Sequence, residues 1–501
     1  MSRPWPPSAV LLGGLAAAVA AYFAFAFSGT SLWLDEAYSV LLARASTGEL
    51  VTLLRADNGP PLYYALLGGW MALFGDGERA VRALSGVAYL ATGGVLFEGG
   101  RRLFRSPVAG VLAATLFWIS PLAVRHASSA RMYALLGLVT AGSVLLFLGS
   151  TRPGQPTRTR LWTAVGLNTL GLLLQYWFLF ALFAQGVSYL LLWRRRARWT
   201  VLVPLLAPLP LFGALWGWVL VDQLGSGSSA WFQPVGWRDL LATFLDFYGS
   251  WITVAAFGLF AGVLLFRWSG RPVPRTRQDL EALAGGGEGR ALLLICLLSV
   301  LVPWLLSHLK PIYLVGRYTL IALPPFALWL GGALGRAVRP LAAVGLVLPL
   351  LLIRLLATHG DQTAWARRDQ VESSRASARQ LLTQVPQGAQ LLYTGLGGLT
   401  LGYYLERGGR TLAQHTFPSE LALHPGWYDP GRLSEAALST EAEALVRSLP
   451  SSAELWHVHE QGDPAARILE QTLRRTRGPA VREQPLPGSF HDRAVIYGPA
   501  R

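Results

Sequence analysis

Apolar residues come in blocks long enough to cross a bilayer, and the blocks follow one another from near the N-terminus to about residue 357. A helix needs roughly 20 mostly apolar residues to cross about 30 Å of hydrocarbon, where only helices and closed barrels satisfy their own backbone. Spans are expected near 8–28, 80–98, 107–124, 132–150, 161–177, 178–193, 200–221, 250–267, 291–306, 317–335 and 338–357. The expected fold is therefore an α-helical polytopic membrane protein of about eleven spans, and an apolar share of 52% against 14% charged residues agrees.

Net charge is +15, almost wholly from arginine, since Lys310 is the sole lysine. With the N-terminus cytoplasmic, the inner connections collect Arg101, Arg102 and Arg105, then Arg152, Arg158 and Arg160, then the Arg194-Arg-Arg-Ala-Arg198 run, and later Arg267 to Arg290, Arg336 and Arg339. The outer connections hold only about half as many basic residues, so the positive-inside rule selects this orientation. The basic excess is thereby a topology signal, and with no basic stripe interleaved with stacking aromatics no nucleic-acid partner is expected. The first apolar run is long for a signal peptide and reads as a retained helix despite Ala24-Phe-Ala26 near its end. Cys296 stands alone inside a span, which excludes an intrachain disulfide.

From residue 358 the apolar blocks stop. The division expected is a transmembrane domain at 1–357 and a soluble α/β domain at 358–501, on the extracytoplasmic side if eleven spans precede it. Helices are expected near 363–384, 397–406, 439–449 and 464–475, with strands at 389–394, 454–459 and 493–497.

Two adjacent carboxylates, Asp35 and Glu36 in Ser31-Leu-Trp-Leu-Asp-Glu-Ala-Tyr-Ser39, follow the first span directly. A carboxylate in hydrocarbon costs roughly 2.5 to 3.5 kcal/mol, so a pair at this level calls for a reason. Outer-side clusters accompany it: Asp57-Asn-Gly-Pro-Pro-Leu-Tyr-Tyr64, Gly75-Asp-Gly-Glu-Arg79 to Arg82, Arg125-His126 with Arg131-Met-Tyr133, and Lys310-Pro-Ile-Tyr313 with Gly316-Arg-Tyr318. Arginine forms bidentate bonds to phosphate oxygens, which makes Arg131, Arg317 and Lys310 candidates for holding a polyprenyl phosphate headgroup and the charge on a departing phosphate. Tyr133 and Tyr318 adjoin these cations and complete the candidate donor-phosphate set. Phosphate needs little acid help to leave, so the demand is for one base, and Asp35 suits it. Glu36 either raises that base's pKa by like-charge repulsion or binds an acceptor or a metal.

Asp35-Glu36, Pro60-Pro61-Leu-Tyr-Tyr64, Gly75-Asp-Gly-Glu-Arg79 to Arg82, Ser120-Pro121 to Arg131-Met-Tyr133, and Arg317-Tyr318 together resemble the GT-C glycosyltransferases, specifically bacterial relatives of the dolichyl-phosphate-mannose protein mannosyltransferases (glycosyltransferase family 39). The resemblance implies an inverting transfer from a polyprenyl-phosphate sugar to a hydroxyl on a lipid, glycan or protein, at the external face of the membrane. It makes Asp35 the catalytic base, with Arg131 and Arg317 the leading phosphate contacts. Many relatives carry a histidine before Pro-Pro and a His-Tyr pair in the fifth or sixth span. Here Asn58-Gly59 and Gln175-Tyr176 stand instead, so no metal ligand carries over and a divalent metal ion is left open.

Each of these residues has a plainer reading. Asp35-Glu36 at a helix start is favoured by the helix dipole, arginines at span ends snorkel to headgroups, and tyrosines there form an aromatic belt. His457 and His459 share one face of a strand, but the sequence offers no clear third ligand, so they read as solvated or edge-strand histidines. The alternative function is a transporter or flippase for a lipid-linked or anionic solute. Transporters carry internal repeats and midplane sites, whereas this chain has no repeat and gathers its charge at one face.

Overall fold

The structure, a computed structural model, describes residues 7–152, 157–193, 198–225, 233–249, 286–337, 340–371, 373–423, 434–487 and 491–499. By internal contacts the chain forms two compact units. One comprises Met1–Ser28, Gly59–Val221 and Ser229–Gly360, the other Gly29–Asn58, Asp222–Ser228 and Asp361–Arg501.

In the first unit, five helices among the described residues are long and apolar enough to cross a bilayer: Glu78–Phe104, Tyr133–Thr151, Trp199–Leu224, Gly286–Leu306 and Tyr318–Arg336. Pro107–Trp118 and Pro121–Ala127 form a bent pair at 66°. Proline lacks the N–H that would carry a helix through, so Ser120-Pro121 ends one segment and Pro121 starts the next at its first position. Shorter apolar helices occupy Val10–Phe25, Leu62–Phe74 and Phe178–Trp193. The spans expected at 161–177 and 338–357 are helical as well, as Arg158–Leu174 and the start of Pro340–Val371. The span expected at 250–267 lies outside the described residues.

Small residues set the packing in this unit, as expected where lipid removes the hydrophobic drive between helices. A Cβ on Gly331 would lie 2.5 Å from Ala113 N, and one on Gly335 2.6 Å from Ala109 Cα. Gly100 meets the same small-residue face, 2.9 Å from the Ala109 carbonyl. One buried polar side chain takes up a backbone group that proline leaves over. Pro208 donates no hydrogen bond to the Pro204 carbonyl, and Asn168 Nδ2 donates to it instead at 2.8 Å.

The second unit is built on a five-stranded sheet with β1 Gln390–Thr394, β2 Ala413–Phe417, β3 Leu455–His459, β4 Arg482–Pro485 and β5 Arg493–Tyr497, in the order β2-β1-β3-β5-β4. β1 runs parallel to β2 and β3, while β5 is antiparallel to β3 and β4. Leu392, Leu455, Val495 and Tyr497 share one core with Leu438, Ala442 and Val446 of the Glu435–Ser448 helix and with Leu469 and Leu473 of Pro464–Arg477. Asp463 caps the latter helix, accepting from Ala465 N at 2.8 Å and Ala466 N at 3.2 Å. The expected strands, and the helices near 397–406, 439–449 and 464–475, occur within a few residues of their places, whereas the helix expected at 363–384 is divided between the end of Pro340–Val371 and a separate helix at Ser374–Gln384. β2 and β4 go beyond them, because these edge strands are polar and largely exposed and so lack an alternating apolar signal.

The same unit includes the segment carrying Asp35 and Glu36, which the linear division at 357/358 assigns to the membrane part. Ser31 N donates to Asp369 Oδ1 and Leu32 N to the Tyr404 hydroxyl, each at 2.7 Å, and Arg375 donates to Gly29 O at 3.0 Å. Beyond these anchors the segment forms the helices Leu34–Arg44 and Thr47–Arg55.

Candidate functional site

Within the first unit, several sequence-selected residues converge around His126. The break at Ser120-Pro121 starts a short helix that presents Arg125 and His126 near its end, and Tyr133 opens the following helix. His126 is buried, donates from Nε2 to the Gly316 carbonyl at 2.9 Å, and lies 4.5 Å from the Tyr133 ring. Arg125, Arg131 and Arg317 all stand close enough to His126 to act on it electrostatically. Three guanidinium groups thus act on one buried imidazole, and a region where arginines are concentrated is the kind of place an anionic headgroup would occupy.

Aromatic rings line it. Tyr133 meets Tyr318 at 6.0 Å, Tyr318 stacks on Trp177 at 5.0 Å and 24°, and Trp177 reaches Tyr313 at 5.8 Å. The Tyr133 hydroxyl is buried with no hydrogen-bond partner among the described residues, an acceptor and donor left for a ligand. The Tyr313 hydroxyl and Thr243 Oγ1 are 2.6 Å apart, and burial pushes the Tyr313 phenol above its ordinary range while that bond pulls it down. Ser307 Oγ accepts from Tyr313 N at 2.8 Å and from Ile312 N at 3.2 Å, which fixes the loop entering Gly316.

One of these arginines is paired with an acid. Arg125 Nη2 donates to Asp246 Oδ1 at 2.9 Å. This pair passes directly beside Gly316, whose φ is 79°, and a Cβ there would sit 2.8 Å from Arg125 Nη1 and 3.0 Å from Asp246 Oδ2. Glycine is required twice over, for its backbone angle and for the room it leaves.

Of the sequence candidates, Arg131, Tyr133, Arg317 and Tyr318 thus belong to one cluster. Lys310 is exposed on the loop before Tyr313 and takes no part in the cluster's contacts among the described residues. Asp35 and Glu36 lie in the second unit, in the first turn of Leu34–Arg44, where the helix dipole favours carboxylates. Glu36 is fully buried and its Oε2 accepts from Trp33 N at 3.3 Å, while Asp35 is half-buried. The candidate residues chosen from sequence did not include His126, Arg125, Tyr313 or Trp177, although the first three sit in quoted motifs. Gln175 and Tyr176, at the family's His-Tyr position, are held internally: Gln175 Oε1 accepts from Tyr176 N at 2.8 Å, and the Tyr176 hydroxyl accepts from Trp216 Nε1 at 2.9 Å.

Residues 58–218 match the family model of the dolichyl-phosphate-mannose-protein mannosyltransferases. That stretch contains Pro60-Pro61 and Arg131-Met-Tyr133 but neither Asp35-Glu36 nor Arg317-Tyr318. Among solved structures, the chain is similar to ArnT from Cupriavidus metallidurans bound to undecaprenyl phosphate, with a TM-score of 0.64 at 14% identity over 97% of both chains. This is a GT-C glycosyltransferase fold. The apo state of the same protein gives 0.63 at 14% identity, again over 97% of both chains. The apo Archaeoglobus fulgidus oligosaccharyltransferase gives 0.46 at 12% identity, over 90% of this chain and 69% of that one. No curated protein matches the sequence. The resemblance drawn from the motifs is borne out, and the GT-C fold agrees with the expected polytopic helical protein with a small C-terminal α/β layer.

A second cluster corrects the sequence reading. His457 and His459 are neither solvated nor on an edge strand: β3 is the middle strand of the sheet, and both side chains are buried. A third ligand-type residue, Glu470 on the Pro464–Arg477 helix, joins them, with Oε1 2.9 Å from His459 Nε2. Sequence distance hid it, because the turn that brings Glu470 back over β3 is set by packing. Burial holds His457 well below the ordinary imidazole range. Burial also works against a charge on His459, but the bond to Glu470 carries it above that range, and the same bond holds Glu470 below the usual carboxylate range.

Proposed function

We propose that this chain transfers a monosaccharide from a polyprenyl-phosphate donor to a hydroxyl of a lipid, glycan or protein acceptor at the external face of the membrane. The observation that carries the reading is that Arg125, Arg131 and Arg317 all act on His126, beside a Tyr133 hydroxyl with no hydrogen-bond partner among the described residues, on a fold shared with a protein crystallised with undecaprenyl phosphate. Arg131 and Arg317 hold the donor phosphate, and Tyr133 and Tyr318 flank it. Lys310, exposed on a neighbouring loop, serves as a further cation toward the headgroup.

In the reaction the acceptor oxygen attacks the anomeric carbon, the bond from that carbon to the phosphate oxygen breaks, and polyprenyl phosphate leaves with the electron pair. The configuration inverts, and the acceptor proton passes to the Asp35 carboxylate. Glu36, tied to the Trp33 amide, holds the turn that presents Asp35. A positioned base contributes typically about 10² to 10⁴ in rate. Asp35→Asn should therefore lower transfer from a panel of radiolabelled polyprenyl-phosphate sugars by at least about 100-fold while the purified protein keeps its melting temperature. Equal transfer by wild type and Asp35→Asn would remove Asp35 from the base role. No transfer across the panel would favour the transporter reading.

A further inference from the structure

The second unit holds a set of groups that the transfer reaction does not use. One nitrogen from each of His457 and His459 and one carboxylate oxygen of Glu470 lie within 4.8 Å of one another. His459 Nδ1 donates to the Glu460 carbonyl at 3.0 Å, so in the neutral imidazole the proton is committed there and the lone pair of Nε2 faces Glu470 Oε1 at 2.9 Å. A lone pair and a carboxylate at that distance repel unless a cation lies between them. A proton satisfies two groups, yet a third converges. His457 Nε2 is 2.7 Å from Thr394 Oγ1, while its Nδ1 is buried and without a hydrogen-bond partner among the described residues.

In metal sites the nitrogen that does not bind the ion commonly bonds to a protein acceptor, which fixes the tautomer and aims the ring. The Glu460 carbonyl does this for His459 and the Thr394 hydroxyl for His457. Two imidazoles and one carboxylate suit zinc, at about 2.0 to 2.2 Å per ligand. Tetrahedral ligands then lie about 3.3 Å apart, so the 2.9 Å contact opens slightly and no separation, all being within 4.8 Å, needs to close by more than about 1.5 Å. The cations near the cluster are directed to other oxygens: Arg474 lies 3.5 Å from Glu470 Oε2, and Arg493 pairs with Glu483 and Asp492.

We propose that His457, His459 and Glu470 bind one zinc ion that fastens β3 to the Pro464–Arg477 helix. The site stands apart from the transfer reaction and does not depend on it.

The test uses the full-length protein in detergent, stripped with a chelator and dialysed against zinc chloride, with bound metal counted by mass spectrometry. About one zinc per chain is expected in wild type and in a His308→Gln control, which changes an exposed histidine. His459→Gln and Glu470→Gln, both close in size to the native residues, should bind at least about 100-fold more weakly with unchanged circular dichroism. Zinc should raise the wild-type melting temperature and leave both variants unmoved. Stoichiometry unchanged in both variants, or no zinc in wild type, would overturn the site and leave a protonated His459–Glu470 pair. Should either variant misfold, cobalt in the wild-type protein decides: strong visible bands of a four-coordinate ion support the site, and the weak spectrum of an octahedral ion sinks it.

Discussion

At the scale of single residues, Gly316 joins the two kinds of information in this chain. Its motif, Gly316-Arg-Tyr318, is plain in the sequence, but the need for glycine is not. Its φ of 79° and the Arg125–Asp246 pair passing 3 Å or less from an added Cβ appear only in three dimensions. Gly316→Ala would cost about 1 to 2 kcal/mol in backbone conformation and would push Arg125 away from Asp246. The carbonyl that accepts from His126 would shift with it. Transfer should fall at least about tenfold in kcat/KM, since small displacements of positioning groups have effects of this size or larger. Steady-state kinetics beside a thermal melt checks this, and native kcat/KM in a folded Gly316→Ala protein would count against the cluster as a substrate site. The same contrast explains the rest of the site. Arginines and tyrosines at span ends announce themselves in sequence, whereas Trp177 and Tyr313 join through ring contacts between residues far apart in the chain.

At the scale of elements, length and apolarity made most spans legible, and alternation made β1, β3 and β5 legible. Leu62–Phe74 escaped because 13 residues are too few to read as a span, and β2 and β4 because polar edges carry no alternating pattern. Which helix faces meet was not legible at all, since glycines occur throughout the membrane part. The geometry separates them. Gly335 sits against the Ala109 backbone, while an added Cβ on Gly94 would meet nothing within 4 Å. Alanine in a helix interior is favoured over glycine by about 0.8 to 1 kcal/mol, and overpacking a tight contact costs about 1 to 3 kcal/mol. The two substitutions should therefore have opposite signs: Gly94→Ala neutral or stabilising, Gly335→Ala destabilising. Thermal unfolding in one detergent compares them directly, and a Gly335→Ala protein that melts no lower than wild type would contradict the close approach of Leu323–Ala337 to Pro107–Trp118.

At the scale of the whole molecule, a linear reading divides the chain at one point, but its contacts do not. Residues 29–58 belong with 361–501 because the Leu32 amide meets a tyrosine hydroxyl 372 positions away, a pairing without any local signature. What the sequence does carry at this scale is the arginine asymmetry, and from it we propose that the N-terminus and the connection at 151–160 face the cytoplasm and the C-terminal unit the outside. The chain is suited to testing that orientation, because Cys296 is its sole cysteine and is fully buried. An impermeant maleimide should leave the wild type unlabelled. Ser452→Cys, at an exposed turn before β3, should react in right-side-out vesicles, and Thr159→Cys, exposed at the start of Arg158–Leu174, should react only after permeabilisation. The reverse pattern would overturn the positive-inside assignment. It would also move the proposed transfer to the cytoplasmic face, because Asp35 belongs to the same compact unit as Ser452 and the pair must share a side of the membrane.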